Sequence, residues 1–92
     1  MIKSWKHKGL KNFYEFDDKS GIIVEHAKRL KVILQLLDAA TTPKNLDLPG
    51  FGFHKLKGKL KNYYAVTVRA NWRIIFQFDE QDIILVDYLD YH

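Results

Sequence analysis

The stretch Val68-Arg69-Ala70-Asn71-Trp72-Arg73-Ile74-Ile75-Phe76-Gln77-Phe78 decides how the second half of this chain folds. From Trp72 onward the residue character alternates. Trp72, Ile74, Phe76 and Phe78 fall on one side and Arg73, Ile75 and Gln77 on the other, the period of two that a strand imposes. Ala70-Asn71 reads as a two-residue hairpin connection, and Asn71 tolerates the positive φ such a turn needs. With that turn, Arg73 is expected opposite Val68, and Ile75 opposite Val66. One sheet face then carries the large apolar row and seats a helix. The other carries Arg73, Ile75 and Gln77 beside Tyr64, Val66 and Val68.

Working outward, residues 63–69 read as the partner strand, 53–56 as a short strand before it, and 83–88 as a strand after the turn at Asp79 to Asp82. Upstream, the period lengthens. Ile23, Ala27, Leu30, Leu34 and Leu37, with Ile33 beside them, recur at spacings of three and four and predict a helix over 22–39. A shorter helix is expected over 9–16, ended by Asp17-Asp18-Lys19-Ser20-Gly21, and a short first strand over 2–6. Thr41-Thr42-Pro43 stops the long helix, and 43–48 has room for one more turn. Helices that precede a mainly antiparallel sheet make the class α+β, with residues 1–92 as one domain.

Of the 92 residues 47% are hydrophobic and 14% aromatic, a globular composition. The absence of cysteine excludes a disulfide framework, a thiol nucleophile and a Cys-type zinc site. No apolar run approaches the ~20 residues of a membrane span, and the basic opening lacks the apolar core of a signal peptide, so a cytoplasmic protein is expected. The net charge of +4 is unevenly spread: +3 over residues 1–50, +6 over 51–78, where no acid occurs, and −5 over 79–92. The basic block is interleaved with Phe51, Phe53, Tyr63, Tyr64 and Trp72. That pattern fits a polyanion partner, and equally a solvated basic face.

The chemistry-bearing residues narrow quickly. The four histidines, His7, His26, His54 and His92, show no paired-ligand spacing, so no metal site is expected. Gly50-Phe51-Gly52 lacks the flanking elements of a phosphate loop. Ser4 and Ser20 sit on no nucleophile turn. His26 falls near the edge of the helical stripe, where packing is the expected role, and His7 is expected at the surface. Two groupings remain: His54-Lys55-Leu56-Lys57-Gly58 and the closing Asp90-Tyr91-His92. The first, if extended, puts Lys55 and Lys57 on one face and His54 and Leu56 on the other. The second gathers an acid, a phenol and an imidazole, a supply of proton-transfer groups. Arg73, inside an apolar strand, must be paired or face a polar cleft; on residue grounds alone an ion pair with a late acid comes first.

Four segments together resemble the HigB toxins of the RelE/ParE superfamily, which are encoded beside an antitoxin: Met1 to Lys11, His54 to Gly58, Val68 to Phe78 and Asp90 to His92. The resemblance implies a RelE-like, microbial-RNase-like sheet with helices packed on one face. It implies a ribosome-dependent endoribonuclease that cuts messenger RNA without metal or other cofactor, inhibiting translation. By the same resemblance His54, Lys57, Arg73, Asp90, Tyr91 and His92 match functional positions and are expected to be catalytic, and Asn71 matches a position that reads the base at the cut; Lys55, Lys57, Asn71 and Arg73 are expected to bind RNA. The implied partners are message in the ribosomal A site and a HigA-type helix-turn-helix antitoxin, through which DNA is met indirectly, with no membrane. Two other readings share the basic sheet: a ParE-like toxin acting on DNA gyrase, and a nucleic-acid-binding module without chemistry.

Overall fold

In the computed structural model, which describes residues 1–92, two helices lead into four strands: α1 (Lys8–Phe16), α2 (Ala27–Ala39), β1 (His54–Lys55), β2 (Tyr64–Arg69), β3 (Trp72–Asp79) and β4 (Asp82–Asp90). The strands form one antiparallel sheet in chain order, so the α+β expectation holds.

Local chemistry sets the helix ends. His7 caps α1, its Nδ1 accepting the Leu10 N–H at 2.9 Å, so the residue expected at the surface is instead a structural cap. Asp17 closes α1 in the left-handed region at φ 57°. The long helix begins at Ala27, later than its apolar stripe predicts. Val24–His26 winds as a 3₁₀ turn, in which the His26 N–H reaches the Ile23 carbonyl at 2.9 Å. Pro43–Leu46 supplies the extra turn expected after α2.

Leu30, Ile33, Leu34 and Leu37 of α2 are fully buried and join Leu10 and Phe13 of α1 in one core with Val66, Val68, Ile74, Phe76, Ile83, Val86 and Tyr88 of the sheet. Asp38 fastens the layers from the side, its carboxylate accepting the Ile2 N–H and the Tyr14 hydroxyl, both at 2.9 Å. The turn after α1 packs backbone to backbone: a Cβ on Gly9 would lie 2.7 Å from the Gly21 carbonyl oxygen, so neither glycine has room for a side chain.

The sheet register corrects the expected one by a residue. Arg73 stands opposite Thr67, and Ile75 opposite Ala65, because Val68 is an extra residue bulged out between the Thr67 and Arg69 pairings. A one-residue slip exchanges faces. Tyr64, Val66 and Val68 therefore join Ile74 and Phe76 under the helices, while Ala65 shares the second face with Ile75. The positive φ of the connection lies at Ala70 (50°), not at Asn71.

A second bulge shapes β4. Leu85 adopts φ 57° where the β3–β4 register shifts, and its released N–H is taken by Ser4 Oγ at 2.8 Å. The segment expected as a first strand pairs with β4 as isolated parallel bridges, Ile2 to Ile83 and Trp5 to Val86, on either side of that bulge. The second face is partly covered by Leu56, Tyr63, Ala65 and Ile75, with Leu60, Leu85 and Leu89 packed around them.

Candidate active site at the hairpin end of the sheet

The β2–β3 turn, Ala70-Asn71, collects most of the residues singled out by the sequence. Arg73 follows it by two residues. Its guanidinium folds back over the turn, one terminal nitrogen donating to the carbonyls of Ala70 at 2.6 Å and Trp72 at 3.1 Å. No acid pairs with it, so the expected structural ion pair is absent. Its Nε is buried and has no partner. The same freedom extends through the basic block: none of Lys55, Lys57, Lys59, Lys61 and Arg69 forms an ion pair. Six cations without an acidic partner make a surface ready for a polyanion.

The closing segment reaches the turn from β4. Asp90 stands directly across from Trp72, and one residue further on the Tyr91 N–H donates to the Asn71 carbonyl at 2.8 Å. This main-chain bond brings the tail to the turn. The Asp90 carboxylate lies 3.1 Å from His92 Nδ1. Since a carboxylate only accepts, Nδ1 carries the proton and Nε2 is left free. Tyr91 is 38% exposed, enough ring to meet a base.

Register also separates the groups. Arg73 pairs with Leu89, whereas Asp90 pairs with Trp72 on the helix side, so the two point to opposite faces of the sheet. His54 lies on the second face, in the cross-strand row His54, Ala65, Ile75, Asp87. Standard sheet spacings put its Cα about 12 Å from that of Arg73.

The His54 ring is fixed locally. Its Nδ1 lies 2.8 Å from the Gly52 carbonyl oxygen, an acceptor, so here too Nδ1 is the donor and Nε2 is free. The loop that carries this acceptor runs tight against the sheet: Gly52 has φ 58°, and a Cβ there would sit 2.6 Å from Thr67 Oγ1. Arg29 of α2 ties the same loop to β2, donating to the carbonyls of Gly50 at 2.8 Å and Thr67 at 3.0 Å. Lys55 and Lys57 are exposed, Lys55 on the side opposite His54, and no contact joins Lys57 to His54.

Sequence reasoning passed over Arg69 and Tyr88. Arg69, opposite Trp72 at the turn, is an exposed, unpaired cation whose only signal was its place in the basic block. Tyr88 is buried beside His26, its hydroxyl 2.6 Å from His26 Nδ1, and the partners are too far apart in the chain to be read together. Burial, and then the Arg69 charge, hold the His26 imidazole below its ordinary range, with Glu25 acting the other way. Burial raises the Tyr88 phenol, and a main-chain hydrogen bond with Ile23 offsets part of the rise. No three acidic or histidine side chains converge closely enough to hold a metal ion. No helix is long and apolar enough to cross a membrane.

Comparison with known proteins adds to this geometry. A family model described as "RelE-like toxin of type II toxin-antitoxin system HigB" matches residues 3–92. The chain is 45% identical to Endoribonuclease HigB of Proteus vulgaris over 92 residues, covering all of both chains. It is 36% identical to Toxin HigB-1 of Vibrio cholerae serotype O1, covering 100% of this chain and 98% of that one. The YoeB structure from Staphylococcus aureus shares the fold at a TM-score of 0.60 and 19% identity, over 99% of this chain and 94% of that one.

Proposed function

Since the chain belongs to the HigB family of RelE-like toxins, we propose that it is the endoribonuclease of a type II toxin–antitoxin system, cutting messenger RNA in the ribosomal A site by a metal-free route. The observation that carries this reading is the Asp90–His92 pair, brought by the Tyr91–Asn71 main-chain bond to the turn that Arg73 covers.

RNA supplies its own nucleophile. The 2′-OH attacks the adjacent phosphorus in line, the bond to the 5′-oxygen breaks, and a 2′,3′-cyclic phosphate remains. One proton must leave the 2′-OH and one must reach the 5′-oxygen, while charge grows on the phosphate. His92 is the leading acid or base, acting through Nε2 while Asp90 holds its other nitrogen. His54, with Nδ1 committed to Gly52, is the complementary proton carrier. Arg73, Lys57 and Lys55 hold phosphate, Arg73 with the donors that the turn carbonyls leave free. Tyr91 stacks on a base, and Asn71, on the exposed turn, reads one.

The partner that silences the toxin is a HigA-type helix-turn-helix antitoxin, through which the complex meets DNA, and the place of action is the cytoplasm. Incubating defined message with the purified chain, with and without ribosomes, tests the reading. Cleavage confined to the ribosome-bound message, with cyclic-phosphate ends, is expected. Intact message in both reactions would overturn it.

A further inference from the structure

The tail that carries Asp90 and His92 needs a fixed support, and backbone pairing supplies it from one side only. Beyond Val86, β4 has β3 on one side only, because the bridges from the opening segment end at Trp5–Val86. Three residues of edge strand, Asp87 to Leu89, separate that last bridge from Asp90. Edge backbone with one partner frays easily.

A side chain makes up for this. Tyr88 projects from this one-sided stretch into the helix-side core and is 5% exposed. Its ring lies 4.8 Å from that of Trp72, the residue paired with Asp90, and meets His7 edge-on at 5.4 Å. Its hydroxyl lies 2.6 Å from Nδ1 of His26, which is buried at the start of α2 and also packs edge-on against Trp72 at 5.7 Å. The rings thus connect the rigid helical layer to both strands beneath the proposed proton-transfer pair. Tyr88 is two residues from Asp90 on the same face, so a shift at the phenol moves the carboxylate with it.

We infer that Tyr88, anchored by His26, is the positioning residue of the acid–base tail: its hydroxyl bond to α2 sets where Asp90, and through it His92, stands at the hairpin end. The inference rests on the nuclease reading above. Neither residue touches RNA. The phenol and imidazole act through the strand.

Kinetics on ribosome-bound message tests it, with Tyr88→Phe as the first variant. Phenylalanine keeps the packed ring and removes the hydroxyl with its bonds to His26 and the Ile23 main chain. The expected result is a kcat lowered about tenfold with KM nearly unchanged and the chain still folded, its melting temperature lower by the several degrees that losing a buried hydrogen bond costs, because the quantity lost from kcat is alignment of a reacting group. His26→Asn, which offers a polar atom near the place of Nδ1, should restore much of what His26→Leu removes. In a His92→Ala background Tyr88→Phe should cost nothing further, since there is no imidazole left to position. A folded Tyr88→Phe chain with wild-type kcat, or one whose loss multiplies undiminished with that of His92→Ala, would overturn the inference and leave the nuclease reading standing. A wild-type chain that cuts no message would overturn both.

Discussion

Nδ1 of His92 stands 3.1 Å from the Asp90 carboxylate, two residues back along the chain and at the last position of β4. The contact leaves Nε2 free for the proposed proton transfer. Asp90→Asn preserves shape and removes the charge, and the amide, offering a donor as well as an acceptor, no longer fixes which nitrogen holds the proton. Message cleavage should fall roughly ten- to a hundredfold in kcat, with RNA binding kept. A wild-type kcat would remove Asp90 from the mechanism.

Arg73 holds no acid, and its two hydrogen bonds use a single terminal nitrogen. Arg73→Ala should therefore cost about a hundred- to a thousandfold in cleavage and only about 1 kcal/mol of stability. Arg73→Lys should recover part of the loss, since it returns the charge without the planar fork. Comparing cleavage rates with denaturation midpoints separates this from a structural role, in which stability would fall as steeply as activity.

The His26 environment makes a prediction for acid pH. Burial and Arg69 lower its folded value, so between that value and the ~6.5 of an unfolded histidine the unfolded chain binds more protons. Stability is then full above ~6.5 and declines as pH falls toward the folded value. Melting curves from pH 7.5 down to 5 should show a drop that is shallower in His26→Asn. Equal slopes would contradict it.

Tyr14 makes the opposite prediction at alkaline pH. Burial first, then its hydrogen bond to Asp38 and that carboxylate's charge, raise the phenol to about 12. The unfolded phenol ionises near ~10, so the contribution is intact below that and lost as pH rises toward the folded value. Tyr14→Phe should flatten the alkaline limb of the stability curve. It should also lose roughly 1 kcal/mol at neutral pH. An unchanged limb would dissociate Asp38 from this role.

Much of this architecture is legible in the residues, and the exceptions have causes. The alternation from Trp72 to Phe78 and the stripe through Leu30, Leu34 and Leu37 directly report burial, and those faces appear as read. The β2 faces were reversed because a single bulged residue, Val68, is invisible to a periodicity argument that assumes continuous pairing. The start of α2 was missed because Ile23 continues the apolar spacing into a 3₁₀ turn. At the site, Asp90 and His92 are close in sequence and meet as neighbours, whereas the His26–Tyr88 bond joins segments with no common local pattern. Sequence also placed the positive φ on Asn71 by residue preference, and the chain accepts it at Ala70 instead.

The most direct measurement is single-turnover cleavage of ribosome-bound message by His92→Ala, with RNA affinity and melting temperature determined alongside. The account predicts at least a hundredfold loss of rate in a chain that folds and binds as before. Cleavage at the wild-type rate would contradict it.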